Sequence, residues 1–451
     1  MSLLLDLGYS IALLLASPWI LYRLLRTGGW RGFSSRFGFG LGEPASGSIW
    51  LHGSSAGEVS LLKPLVAMLE ADRPGVPLIV STYTTTGLAA ARKAYPRHRV
   101  TLFPFDLSVV VRRFLERFDP RIVVIVESEF WPNFLLAAEA RGVPVVVLNG
   151  KMSEKSCRAY ARTGVLRRAL RSVALVAVQS GEHAERLRRL GVAPERLHVT
   201  GNMKYDLAHT GAADQSRRRL RERLGYAPED VVVIGGSLHP GEHEALLRAF
   251  KALDPERRAA LIVVPRYPED ASDVEQHLAA EGLRAVRKTL LDSGACPAPG
   301  RGAVLVVDTV GELGLLYAAA DVAFVGGSLF YRGSNKGGHN LMEPAVLGVP
   351  VLFGPYNFSF KETVEDLLRH DAGLLVRNAD ELSAAIAELV ADGERRRRLG
   401  ERGKRVVLDG QGATRRNYAL LSHIIDGNGP RLQAPGFERT MPRASGHLDS
   451  R

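Results

Sequence analysis

Short, β-branched apolar runs recur along this chain, each followed by a stretch with helical spacing, and the whole rhythm occurs twice. In the first half the runs are IWLHG, PLIVST, RIVVIVES, VPVVVLNG and SVALVAVQS; in the second they are VVVIGGS, AALIVVPR, AVLVVD, DVAFVGGS and VPVLFGP. Runs that are apolar throughout predict parallel strands covered on both faces. Segments such as VVVRRFLERF and GEHAERLRRLG lie between them, so the units are successive βα repeats and the fold class is α/β. A polar stretch, YDLAHTGAADQSRRRLRERLGYAPED, interrupts the alternation near residue 210 and reads as a linker feeding a basic helix. At 451 residues the chain is longer than a single core usually serves. Two doubly wound domains are therefore expected, with a ligand site in the cleft they face.

From Leu7 to Leu24 the amino terminus is nearly free of charge, close to the roughly 18 to 20 residues that span a bilayer. Asp6 precedes this run while Arg23, Arg26 and Arg31 follow it, which places the rest of the chain on the cytoplasmic side. Residues 1–30 thus read as a membrane-anchor helix. A helix lying in the interface is the alternative, because Gly8, Tyr9, Ser10 and Pro18 dilute the run. There is no basic segment ahead of it and no small-x-small cleavage site, which argues against a signal peptide. The net charge of +11 asks for an anionic partner. RRRLRERLG and ERRRRLGERGKR lack interleaved aromatics and read as solvated helix faces, which argues against nucleic acid. Cys157 and Cys296 are the sole cysteines and form no C-x-x-C pair, so neither a disulfide framework nor a cysteine metal site is expected. The tail 428–451 lacks periodicity and is expected to be disordered.

Both halves open alike, with LHGSSAGEVSLL in the first and VVIGGSLHPGEHEALL in the second. Each is a strand, a Gly/Ser loop and a Gly-Glu step at a helix start, an arrangement that directs main-chain N–H groups at an anion. Ser55-Ala-Gly-Glu58 also fits a capping box, so Glu58 has a structural as well as a chemical reading. HPGEH matches a zinc-protease pattern, but Pro240-Gly241 belongs to a turn rather than to a continuous helix. Ser237 and His239 read instead as donors beside free main-chain N–H groups. In VIVESEFWPNF, Glu127 and Glu129 lie just past the carboxyl end of a strand, where open α/β sheets keep their ligands. TGNMKYD brings Lys204 to the domain junction. VVPRYPED offers Arg266 to a phosphate, and GGSLFYRGSNKGGHNLMEPA puts His339 and Asn340 at a helix entry with Glu343 one turn in, suited to ribose hydroxyls.

Taken in order, LHGSSAGEV, VESEFWPN, GNMKYD, GSLHPGE, VPRYPE, DTVGEL, FVGGSLF and GGHNLMEPA resemble the motifs of the Kdo (3-deoxy-D-manno-octulosonic acid) transferases of lipopolysaccharide assembly. The resemblance implies a GT-B glycosyltransferase with two Rossmann-like domains around a cleft: an anchor at 1–30, an acceptor-binding domain at 31–210 and a CMP-Kdo-binding domain at 211–427. It implies inverting transfer of Kdo from CMP-Kdo to the lipid A precursor without a metal ion or other cofactor, at the cytoplasmic face of an anionic inner membrane. Glu58 matches the general base, and Glu127 and Lys204 the pair that stabilises the transition state. Pro265-Arg266, Val310-Gly311-Glu312 and Asn340-Leu341-Met342-Glu343 match the CMP-binding segments. The chain departs from the family at Gly150-Lys151, where alanine and arginine are usual, and in the longer loop FYRGSNKGGHN. A UDP-dependent enzyme of the same fold, or a catalytically silent membrane-bound binding module, is the alternative reading.

Overall fold

A computed structural model describes residues 2–27, 30–208, 213–253, 259–333 and 337–427. The tail 428–451 lies outside the described residues. The chain divides into two compact units, Met1–Asn202 together with Thr414–Arg451, and Met203–Ala413.

The first unit is built on strands β1 (Ile49–His52), β2 (Leu78–Thr82), β3 (Arg99–Leu102), β4 (Ile122–Val126), β5 (Val145–Gly150), β6 (Leu175–Val178) and β7 (Leu197–Val199). They form one sheet in the order β3-β2-β1-β4-β5-β6-β7, parallel at every pairing. β1, β2, β4, β5 and β6 are buried along their whole length, which is why their sequences are mostly apolar, with His52, Ser81, Thr82 and Asn149 the buried polar exceptions towards the carboxyl ends. One face is filled by Trp50, packed edge-on to Phe118 and Phe134 and stacked near Phe114. Each such side chain contributes about 1.5–3 kcal/mol by leaving water. The order of strands reverses direction between β1 and β4, so the loops after these two diverge and leave a crevice at their carboxyl ends.

The second unit repeats the plan with β8 (Val231–Leu238), β9 (Ala259–Pro265), β10 (Ala285–Arg287), β11 (Val304–Val306), β12 (Val322–Val325), β13 (Val351–Phe353) and β14 (Leu374–Leu375). Their order is β10-β11-β9-β8-β12-β13-β14, again all parallel, and the reversal falls between β8 and β12. Gly235 and Gly236 lie in the central strand; a Cβ on either would strike Leu246 or the Tyr317 hydroxyl, so glycine allows these to close on the sheet. The basic helix Ala213–Leu224 is not solvated on all sides. Arg217 and Arg221 reach Asp321 at 2.6 and 2.9 Å, and Arg221 is buried, so this helix is pinned to the start of β12.

The helix Ala413–Ile425 leaves the second unit and completes the first. Arg416 donates to the Thr200 carbonyl at 2.8 Å, and the Tyr418 hydroxyl donates to Asp72 at 2.6 Å. Arg73 reaches Asp426 at 2.7 Å.

The amino-terminal helix spans Ser2–Thr27. Among the described residues no helix is long and apolar enough to cross a membrane, so the anchor reading of 1–30 is unsupported as a span. Leu7, Ile11, Leu14, Leu15, Trp19, Tyr22 and Leu25 are nonetheless exposed on it. It is tied to the first unit by Asp6, which accepts from the Ser108 amide at 2.8 Å and from Asn133 Nδ2 at 2.9 Å.

Candidate active site

In the first unit the crevice is lined from the loops after β1, β4 and β5. Ser55 is the extended cap of helix Ala56–Asp72 and accepts from the Glu58 amide at 3.4 Å, while its hydroxyl donates to Glu58 Oε1 at 3.2 Å. The glutamate returns one residue earlier than a capping box requires, to the Ser54 amide, which donates to Oε2 at 2.6 Å. Gly53 makes this possible, because a Cβ there would come within 3.0 Å of the Glu58 main chain. Burial and the neighbouring Glu127 lift the Glu58 carboxyl from its ordinary 4.5 to about 7, against the opposing Ser54 bond. The helix start alone would have kept it ionised; desolvation and the carboxylates from β4 outweigh the dipole.

Glu127 does not continue the strand. β4 ends at Val126, and Glu127 takes φ +67°, a left-handed backbone that costs a non-glycine residue about 1–3 kcal/mol. Both Glu127 and Glu129 act electrostatically on Glu58. Glu127 pairs with Lys151 Nζ at 2.6 Å, with the carboxylate side chain 9% exposed. Lys151, part of the Gly150-Lys151 step singled out in the sequence, supplies a cation to this carboxylate as a point charge rather than a fork. The Lys151 amide also donates to Ser128 Oγ at 3.2 Å, fastening the loop after β5 to the loop after β4. Lys204 opens the second unit, on the 3-10 turn Met203–Leu207, which is held by Tyr205 packing on Gly410 and by the Gly412 amide donating to Asp206 at 2.6 Å.

In the second unit the Gly-Glu step has a different outcome. Glu242 is 1% exposed and accepts four main-chain N–H groups: His239 at 3.0 Å, Gly327 at 2.7 Å, and Ser328 and Leu329 at 2.9 Å each. The His239 amide, one of those expected to be free for a ligand, is thus spent on this carboxylate, which staples the loop after β8 to the loop after β12. A cavity of about 960 Å³ is lined by His239, Arg266, Tyr267, Arg332, His339 and Ser359 among others. The two imidazoles stack at 5.4 Å with their Nε2 atoms 3.2 Å apart. Burial, His239 and the two arginines depress His339 to about 4, and burial followed by Arg332 lowers His239, so both rings are neutral donors at pH 7. His239 Nδ1 is buried without a hydrogen-bond partner among the described residues. Ser237 holds φ +55° at the end of β8 and is not among the residues lining the cavity. His239 faces His339 while His243 faces His277, so the HPGEH letters do not form a zinc-protease site.

The remaining expected residues sit at the carboxyl end of the same sheet. Pro265 ends β9, and the Arg266 amide donates to the Leu238 carbonyl at 2.7 Å. Val310 and Gly311 are exposed past β11, and Lys288 donates to Glu312 at 3.1 Å. Asn340 Nδ2 donates to Glu343 Oε1 at 3.0 Å, and burial raises the Glu343 carboxyl. Leu341 and Met342 are core side chains, so what they offer a ligand is main chain. The sequence reading missed Arg332 and Lys151 as site cations. The first stood in a loop noted only for its length, the second in a motif noted only for its departure.

With this geometry in hand, two family models match: 3-deoxy-D-manno-octulosonic-acid transferase (kdotransferase) over 31–207 and glycosyl transferases group 1 over 301–406. The 3-deoxy-D-manno-octulosonic acid transferase of Bordetella pertussis is 33% identical over 434 residues, covering 92% of this chain and 98% of its own. That of Haemophilus influenzae is 31% identical over 403 residues, covering 88% and 92%. Among solved structures, Anabaena HepE in complex with UDP aligns over 83% of this chain and 99% of its own at 17% identity, with a TM-score of 0.52, a likeness of fold alone that supports the GT-B class. The chain belongs to the 3-deoxy-D-manno-octulosonic acid transferases and is a glycosyltransferase.

Proposed function

We propose that the chain transfers Kdo, with inversion, from CMP-Kdo to a hydroxyl of the lipid A precursor in lipopolysaccharide biosynthesis, with Glu58 as general base. The observation that carries this reading is the Glu58 carboxylate, half-buried at the switch point of its sheet and lifted to about 7, where a base is matched to neutral pH. As the acceptor oxygen bonds the anomeric carbon, its proton passes to Glu58. The bond from that carbon to the phosphate oxygen breaks, and CMP leaves with the electron pair.

A phosphate leaving group needs positive charge more than a strong acid. Arg266 and Arg332 supply it, the two neutral imidazoles add hydrogen-bond donors, and the scheme calls on no metal ion. The donor carries phosphate and carboxylate on one carbon, so two guanidiniums have two anions to serve; Arg266 takes the phosphate and Arg332 the carboxylate. Asn340 and Glu343 are assigned to the ribose. Glu127 and Lys204 keep the charge-stabilising role that the family implies, with Lys151 holding the Glu127 carboxylate in place.

The same reading puts the protein at the cytoplasmic face of the inner membrane. Its support is the exposed apolar face of helix Ser2–Thr27 and the net charge of +11, which suit a helix lying in an anionic interface.

Incubating the purified chain with lipid A precursor and a CMP-Kdo supply, then weighing the lipid by mass spectrometry, tests the proposal. A gain of Kdo is expected. An unchanged lipid overturns it, and a product made from a UDP-sugar instead favours another GT-B transferase.

A further inference from the structure

Behind the anion cavity, the second unit carries another cluster of ligand-type side chains. His243 and Glu244 stand in the first turn of helix Glu242–Lys251, which follows β8, and His277 lies in helix Ala271–Ala280, which follows β9. His243 Nε2 is 3.3 Å from His277 Nδ1 and 3.3 Å from Glu244 Oε2, and Glu244 Oε1 is 3.7 Å from His277 Nε2. Zinc bonds of about 2.0–2.1 Å to nitrogen and oxygen, set tetrahedrally, hold ligand atoms roughly 3.3 Å apart. One ligand atom from each of the three residues lies within 4.8 Å of the others, close enough for all three to reach a single ion.

The His243 ring bonds to the main chain of His239 and is 3% exposed, while its Nε2 has both His277 Nδ1 and Glu244 Oε2 at 3.3 Å. A buried nitrogen that meets a second ring nitrogen and a carboxylate oxygen on its open side is an arrangement that one shared cation completes. The groups behind the ligands are also in position: the His239 carbonyl fixes His243, and the Gly241 amide donates to Glu244 Oε2 at 2.6 Å, the kind of outer support that orients metal ligands.

We propose that His243, Glu244 and His277 bind one zinc-class divalent ion, with water completing the coordination, and that the ion clamps the helix after β8 to the helix after β9. Two imidazoles and one carboxylate favour such an ion over Mg²⁺ or Ca²⁺, which prefer oxygen alone. None of the three residues lines the cavity, so the ion takes no part in transfer. Its consequence is positional. The loops ahead of those helices deliver His239 and Arg266, and a fixed His243 fixes the His239 main chain.

The test uses the full-length chain without a histidine tag, stripped with EDTA and titrated with Zn²⁺ by calorimetry. One equivalent is expected to bind with a sub-micromolar dissociation constant, unaffected by millimolar Mg²⁺, and to raise the unfolding midpoint. His277→Ala, on a partly exposed ring, and Glu244→Gln are both expected to fold and to weaken Zn²⁺ binding about 100-fold or more. CMP is expected to bind severalfold more tightly to the zinc-loaded parent than to the stripped one, a difference His277→Ala removes. Absence of stoichiometric binding, or an affinity unchanged in His277→Ala, overturns the site; equal CMP affinity with and without zinc overturns the clamp. The zinc titration stands apart from the donor assignment, because CMP that fails to bind either form counts against that assignment alone.

Discussion

Glu58 and Glu242 follow the same Gly-Glu step at the start of the same kind of helix, and their surroundings give them opposite properties. Glu242 is saturated by four amides, whereas Glu58 has one amide, one hydroxyl and two carboxylates nearby. Glu58→Gln is expected to lower kcat by about 10²–10⁴-fold while leaving CMP affinity unchanged. In the parent, kcat/KM should climb about tenfold per pH unit and level off above about 7, as the base loses its proton. The same shift bears on stability. Because the native carboxyl holds its proton to a higher pH than the unfolded chain does, the stability it contributes is full below about 4.5 and is lost as pH rises towards 7. Glu58→Gln should thus unfold like the parent at low pH but resist urea by about 3 kcal/mol more at pH 8. Arg332→Gln is expected to raise KM for CMP-Kdo about 10–100-fold and to leave the inhibition constant of CMP nearly unchanged, since CMP lacks the carboxylate. The cap of Ser55 and Glu58 was legible in four consecutive letters. The raised pKa was not, because it arises first from burial in the folded unit and then from Glu127, about 70 residues away in sequence.

At the scale of elements, the interior strands were legible and the margins were not. β3, β7, β10 and β14, absent from the sequence reading, are the four sheet edges. Edge strands have one neighbour and are partly exposed, so they carry polar residues and short runs that lack the apolar signature. The binding loops of the second unit are fastened by Glu242 across an interval of over 80 residues, which no local pattern records. Glu242→Gln presents an amide where a carboxylate had met four donors. It is expected to cost about 3 kcal/mol in denaturant unfolding and to weaken CMP binding, although Glu242 itself is buried away from ligand. For the amino-terminal helix, Leu14→Asn with Leu15→Asn is expected to reduce sedimentation with anionic vesicles severalfold and to leave CMP binding intact, because both side chains are exposed.

For the whole molecule, the twofold βα rhythm announced two doubly wound units, and each was found with its sheet and its switch point. The return of the last helix to the first unit was silent in the sequence, because amphipathic spacing shows that a helix packs and not on what. Removing the segment from Ala413 onward is expected to strip partners from Thr200, Asp72 and Arg73, and so to lower the unfolding midpoint of the first unit while CMP still binds the second. The arrangement also sets a schedule for synthesis. The first unit is interrupted at Asn202 and resumes at Thr414, so some 200 residues must be made before its last helix exists, about 20 s at roughly 10 residues per second. During that interval the half that holds the proposed base stands unfinished while the half between is being made, and at its end the second unit is complete before the first. A nascent chain released at that point would carry a finished second unit and an unsealed first one, a state that quality-control proteases can recognise.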